Sequence, residues 1–433
     1  MSNKINSVFG ILTVMVLFSC TRSANPGGTV PKDSSLVNLQ HLEYLYTPVS
    51  FPSGTQAAGI YIYADAPDYR LVQANGEGFT CVDDVARAAL VYLRSPQIAS
   101  DTAAQNKLYK LISFVLEMQS PNGYFYNFLF ESGLINKFGA SSANGPDWWS
   151  WRALQALTES IPYLKNANPG LASKVEVSVN LLVENIKRDF GSLPLETKVA
   201  NGVTAPQWLP AGSAADQAAL VIIGLINHYK NTQDAAVKPL VKRFSDGIML
   251  MQQGDSLTSP YGASLSWENI WHAYGNIQSY ALLNAADVLD DDKYLNAGLF
   301  EIDHFYSWLL TNKMINSFEV SKYNNLINVY NVKEFDQIIY GIEPMFFAAL
   351  QAYNMTHNNK YADMAGRFAA WLLGTNAGKV LMYDPTTGRG YDGMGADGVV
   401  NKNSGAESTI EALLILQQAE KNDAIKEAMN SYR

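Results

Sequence analysis

Residues 383–416 read YDPTTGRGYDGMGADGVVNKNSGAESTIEALLIL. The first half is a glycine-rich loop carrying Asp384, Tyr391, Asp392 and Asp397. The second half is a helix that opens at Ser404-Gly405-Ala406-Glu407-Ser408-Thr409. It then turns apolar through Ile410, Ala412, Leu413, Leu414 and Leu416. A helix without a polar stripe has to be surrounded by protein, so this one is expected to be buried. Its first turn is not apolar. Glu407 therefore stands where a buried helix meets whatever lies above it.

The same arrangement recurs upstream. Cys81 to Leu93 (CVDDVARAALVYL) carries Asp83 and Asp84 in its first turn, and Asp147 opens a helix running to Leu164. Asp216 lies in the first turn of Ala214 to Tyr229. Ser266-Trp267-Glu268 is read as opening a helix with His272, Tyr274 and Gln278. Glu334 to Asn354 is read as a helix carrying Asp336 and Glu343. Between these lie amphipathic segments: Ala103–Gln119, Pro169–Lys187, Asp234–Gln252, Asp291–Asn312, Asn359–Gly374 and Asp423–Tyr432. The apolar members begin near Asp83, Asp147, Asp216, Glu268, Asp336 and Glu407, a period of about 50 to 70 residues that speaks for repeated helical hairpins. The expectation is an all-α, (α/α)6 toroid of six hairpins forming one domain over residues 36–433. A small hairpin at its mouth is expected from residues 51–73. Inner helices that run parallel bring their N-termini to one end. Unsatisfied N–H groups and partial positive charge gather there and favour carboxylate anions.

The 433 residues carry a net charge of -9, and no basic stripe offers a footing for nucleic acid. Aromatics make up 12% of the chain, a supply of flat faces for sugar rings. Lys4, the apolar run Val8–Phe18 and the tetrapeptide Leu17-Phe18-Ser19-Cys20 read as a signal peptide over 1–19 with lipidation at Cys20. Residues 20–35 then form a flexible tether, and the protein is expected as a monomeric lipoprotein of the bacterial cell envelope, held to a membrane by that lipid. Cys81 is the only other cysteine, so no intrachain disulfide is expected. No HExxH or CxxC metal signature occurs, and neither metal nor cofactor is expected.

Four motifs in order, FTCVDDVARAALVYL (79–93), DWWSWRALQAL (147–157), FDQIIYGIEPMFFAALQ (335–351) and the segment from Trp371 to Leu416, make the chain resemble a known group. It is similar to the helical-toroid region found at the C-terminal end of some bacterial glycosyltransferases, and more broadly to the six-hairpin glycosidase superfamily. The resemblance covers most of residues 75–420. It implies the (α/α)6 fold and an oligo- or polysaccharide as partner. No glycine-rich βαβ unit appears, so the nucleotide-sugar half of a glycosyltransferase is missing.

Glycoside hydrolysis needs one protonated and one ionised carboxyl group, about 6.5–9.5 Å apart when the configuration inverts. Asp83 and Asp84 diverge by about 100° on their helix, so only one is expected to act. That one, with Glu407, forms the expected pair, and Asp392 and Asp336 stand in reserve. Trp148, Trp149, Trp208, Trp267 and Tyr391 are the candidate stacking rings. Arg152, Glu268, His272, Gln278 and Asn401 are candidates for bonds to hydroxyls. The alternative is a non-catalytic glycan-binding lipoprotein on the same scaffold. Epimerases of this shape rely on paired histidines, and the five here are not grouped.

Overall fold

The computed structural model describes residues 34–433, apart from residue 325. The signal peptide, Cys20 and nearly all of the tether lie outside the described residues. A short helix α1 (Gln40–Leu45) leads into fourteen helices in all among the described residues. The long ones alternate in character along the chain. α2 (Val82–Leu93), α4 (Trp148–Ala167), α6 (Ala215–Thr232), α8 (Gln278–Leu289), α11 (Glu343–Thr356) and α13 (Ala406–Lys421) are the apolar set. α3 (Thr102–Glu117), α5 (Pro169–Phe190), α7 (Lys238–Leu250), α9 (Asp292–Glu301) with α10 (Ser307–Thr311), α12 (Asn359–Trp371) and α14 (Asp423–Tyr432) are their partners.

Local chemistry sets where several helices start. Asp147 accepts a hydrogen bond from the Trp148 amide at 2.8 Å, and Asn168 accepts from Leu171 ahead of a proline at the first helical position of α5. Asp101, Asn358 and Asn422 cap α3, α12 and α14 in the same way. Every residue of α6 from Ala215 to Ile226 is buried, and a helix of that kind is stable only inside protein.

Packing follows chain order. α2 packs on α4, α4 on α6, α6 on α8, α8 on α11, α11 on α13, and α13 on α2, so the succession returns to its start. Each of these helices also packs on the amphipathic helix that follows it. Contact between α4 and α6 is close enough that a Cβ on Gly224 would sit 2.4 Å from Leu154 Cγ, which only glycine avoids.

Two of the six expected helix starts are displaced. Glu268 does not open a helix. It stands at φ +50° in a tight turn closed by the Ile270 amide on the Trp267 carbonyl at 2.8 Å. Strand Ile270–His272 follows and pairs antiparallel with Ser317–Tyr323, which pairs with Leu326–Lys333. α8 starts only at Gln278. Asp336 likewise lies in a loop, followed by a single 3-10 turn at Ile339–Gly341, and α11 starts at Glu343 with Pro344 beside it. In both places the expected acid precedes its helix by several residues.

Short hairpins lie around the helices. Tyr46–Ser50 pairs with Gln56–Ile60 and Tyr63–Asp65 with Arg70–Val72, where one hairpin was expected over 51–73. The glycine-rich loop folds into two more, Tyr383–Asp384 with Arg389–Gly390 and Gly393–Met394 with Val400–Asn401. At the other end of α13, Ser35 Oγ donates to Glu420 at 2.7 Å and the Leu36 amide donates to the same carboxylate. Among the described residues no helix is long and apolar enough to cross a membrane.

Candidate active site

A cavity of about 290 Å³ opens where α2 and α13 begin. Asp83, Asp84 and Arg87 reach it from α2, and Glu407 and Ser408 from α13. Asp392 comes from the glycine-rich loop, and Tyr340 from the turn before α11. Helical spacing explains the first group: Asp83 and Asp84 stand four and three residues before Arg87, hence on one face.

Arg87 is the hub. It is 2% exposed. Its Nη2 donates to Asp84 Oδ1 at 2.9 Å and to Glu407 Oε2 at 3.4 Å, its Nη1 donates to Glu411, and its Nε lies 3.6 Å from Asp83 Oδ1. Arg152, from α4, brings its Nε within 3.4 Å of the same Asp83 oxygen and donates through Nη2 to the Tyr340 hydroxyl at 2.6 Å. Both guanidinium groups lie over the Tyr340 ring, at 5.1 and 5.4 Å from its centroid.

The carboxyl groups are in unlike settings. Asp84 is buried. Burial pushes its carboxyl up to about 6 against the pull of Arg87. Its Oδ2 accepts from the Cys81 thiol at 3.2 Å. Glu407 leaves 44% of its side chain open, yet it stands in a recess among Asp84, Glu411 and Asp83. Loss of solvent, then those like charges, push it up to about 7, opposed by Arg87. Asp83 leaves 28% of its side chain open and meets two guanidinium groups. Behind the hub, burial and the neighbouring Glu411 raise Glu343 well above the usual carboxylate range.

Asp392 holds the opening of α13. It accepts from the Gly405 amide at 3.2 Å and from Ser408 Oγ at 3.0 Å, and burial raises it. Asp336 is not part of the cavity wall; it stands beside Gly393 and Gly395. Of the expected rings, Trp148 borders Tyr340: a Cβ added to Gly275 would meet both, at 3.0 and 2.7 Å. Trp149 and Trp208 are core residues whose indoles donate to the carbonyls of Phe125 and Arg243. Trp267 is 38% exposed beside Lys198, and Lys198 also pairs with Glu268 at 2.5 Å. Tyr391 lies next to Tyr69 and Arg389, away from the cavity wall. Gln278 is wholly buried against the carbonyls of Ser264 and Leu265, and Asn401 is exposed on its hairpin.

His272 faces Asp216 rather than open space, Nε2 to Oδ2 at 3.2 Å, and its Nδ1 bonds the Tyr274 carbonyl at 2.8 Å. Sequence reasoning missed Tyr340 and Glu411. Glu411 had a signal: it lies one turn beyond Glu407 in an apolar helix, and a buried acid calls for a cation. Among the described residues no group of His, Cys, Asp and Glu has the form of a metal site.

No family model and no curated protein matches the sequence. Solved structures do. The cellobiose 2-epimerase of Spirochaeta thermophila aligns over 88% of this chain and 92% of its own, with TM-score 0.58 at 12% identity. A D-mannose isomerase aligns over 88% and 97%, TM-score 0.54, 14% identity. The family 9 endoglucanase J30 aligns over 87% and 78%, TM-score 0.51, 13% identity. These structures share their overall helical architecture with this chain. At such identities the likeness is one of architecture, and the chemistry has to be argued from the cavity.

Proposed function

We propose that this chain is a carbohydrate-active (α/α)6 toroid that hydrolyses glycosidic bonds at the cavity between α2 and α13. One observation carries the reading: Glu407, raised to about 7 and open to the cavity, shares the Arg87 guanidinium with the half-open Asp83. That is an acid able to hold a proton near neutrality beside an ion-paired carboxylate, the division of labour that glycoside hydrolysis requires. Glu407 gives its proton to the bridging oxygen as the C1–O bond breaks. Asp83 takes a proton from the water that attacks C1, and the configuration inverts. Asp84, buried and tied to Arg87, positions the hub. The succession of helix contacts that returns from α13 to α2 supports the closed ring.

Sugar enzymes with this architecture include epimerases and an isomerase as well as an endoglucanase. The wall of this cavity carries carboxylates and a guanidinium group, the groups that hydrolysis uses. The N-terminal sequence supports a lipoprotein anchored through Cys20 in the cell envelope, and the sugar enzymes of like architecture support an oligo- or polysaccharide as its substrate.

The test is a panel of neutral and charged oligosaccharides, with reducing ends and binding both measured for the wild type, Glu407→Gln and Asp83→Asn. Turnover in the wild type and its loss in both variants, with binding kept, is expected. Proton NMR of the first-formed anomer reads the stereochemistry. Binding without turnover in the wild type would leave a glycan-binding protein and refute the hydrolase.

A further inference from the structure

We propose that Tyr274 is the stacking platform of a second sugar subsite, next to the ring held between Asp83 and Glu407, and that His272 is the positioning residue beneath it. The proposal rests on the carbohydrate reading above and extends it to substrates of two or more units.

Two tyrosines line the cavity: Tyr340 is 8% exposed, and Tyr63 is 43% exposed, near Cys81 and Asp392 in the wall. Tyr274 is 43% exposed. Solvent exposure usually leaves a tyrosine free to turn, but this one is held. Its ring lies flat on the His272 imidazole, with centroids 3.8 Å apart and planes 9° from parallel. The imidazole is itself fixed at both nitrogens, by the Tyr274 carbonyl and by the buried Asp216. The main-chain amide of His272 donates to Ser266 Oγ at 3.1 Å. An exposed aromatic face backed by a ring anchored at both nitrogens has already lost much of its rotamer freedom, so a ligand that covers it forfeits little further entropy.

Its position links it to the cavity. Tyr274 lies 6.3 Å, centroid to centroid, from Tyr340, which lines the catalytic recess and takes a hydrogen bond from Arg152. That offset is on the scale of one sugar unit. The next residue, Gly275, holds φ +63° and has no space for a Cβ between the Tyr340 hydroxyl and the Trp148 indole. The backbone is thereby pressed against the aromatic wall, and Tyr274 cannot drift from Tyr340. No cation among the described residues lies over the Tyr274 ring, whereas Tyr340 carries two. The open surface of Tyr274 is thus an uncharged aromatic one, suited to the C–H face of a neutral pyranose.

The experiment uses the intact protein and the oligosaccharide panel, extended from methyl monosaccharide glycosides to hexasaccharides of each cleaved or bound type. The quantity read is the ratio of kcat/KM for a trisaccharide to that for the matching methyl monosaccharide glycoside, or the ratio of Kd values for a glycan that binds without cleavage. Tyr274→Ala is expected to lower that preference about tenfold, some 1.4 kcal/mol, and Tyr274→Phe to restore it. His272→Ala is expected to fall between, with faster flipping of the Tyr274 ring by NMR, which a purely structural histidine would not produce. Should Tyr274→Ala fail to fold, Tyr274→Leu removes the aromatic face at similar volume and takes its place. An unchanged preference in the Ala or Leu variant, with glycan turnover or binding intact, overturns the subsite alone. A wild type that neither binds nor cleaves any glycan overturns the carbohydrate reading and this inference together.

Discussion

Replacing Arg87 by Met keeps most of the side-chain volume and deletes the charge that Asp83, Asp84, Glu407 and Glu411 share. Glu411 is wholly buried and Asp84 is 5% exposed, so water cannot take the place of the guanidinium. Breaking one buried ion pair costs about 3–5 kcal/mol when the partner remains charged. The alternative is for a buried acid to take up a proton. At about pH 7.5, protonating a carboxyl with an ordinary value near 4.3 costs about 4 kcal/mol; at about pH 5 it costs about 1 kcal/mol. Because Asp84 and Glu407 are already raised with Arg87 in place, the wild type recovers part of that cost too, and the deficit of Arg87→Met, measured by urea unfolding, should be smaller at about pH 5 than at about pH 7.5. The sign is fixed by the direction of the shift. Acids whose folded-state values are raised stabilise the fold at low pH and lose that contribution as pH climbs through the raised value. An equal deficit at both pH values would mean that Arg87 serves by packing its stem, and the charge-hub account would be wrong.

The remaining expectations concern single groups. Hydrolysis should decline as pH rises through about 7, where Glu407 loses its proton, and Glu407→Gln should cost about 10²–10⁴ in kcat; a rate flat from pH 6 to about 8.5 would remove Glu407 from the acid role. Glu301 is fully buried, accepts from the Ser264 amide at 2.9 Å and from Ser279 Oγ at 2.5 Å, and is raised by burial to about 7. Its contribution is complete below about pH 4.5 and lost through about 7, so Glu301→Gln should flatten the stability–pH curve over that range by about 3 kcal/mol in thermal or urea unfolding. Gly275→Ala should destabilise by about 1–3 kcal/mol, from its positive φ and the clash with Tyr340 and Trp148. A melting temperature unchanged from wild type would show that the loop yields freely.

Where the polypeptide is locally consistent, its sequence is informative. The apolar helices beginning at Val82, Trp148, Ala215 and Ala406 could be read from an acid or cap followed by an unbroken apolar run, because burial on all sides leaves no polar stripe to confuse the pattern. The same rule failed at Glu268 and Asp336, where the acids occupy turns. Pro344 at the start of α11 was the better marker there. Residues 317–333, SFEVSKYNNLINVYNVK, alternate in polarity around a central Asn-Asn, a hairpin signal passed over inside a chain dominated by helices. Within the candidate site, Asp83, Asp84 and Glu407 were legible because acids at the head of buried helices are conspicuous, and Asp392 because it stands in the glycine-rich loop that leads into α13. Trp149 and Trp208 misled, since an indole whose N–H meets a carbonyl packs in a core as readily as it stacks on a ligand. Tyr340 and Tyr274 owe their importance to neighbours far away in the chain, and no local pattern encodes that.

The clasp of Ser35 and Leu36 on Glu420 ties the first residues of the folded body to α13. Glu420 lies near the C-terminal end of α13 and Glu407 in its first turn, roughly 20 Å away along the axis at 1.5 Å rise per residue. One helix therefore carries the entry of the folded chain at one end and the candidate site at the other, and any loosening of that entry has the whole length of α13 to cross before it reaches the carboxylates.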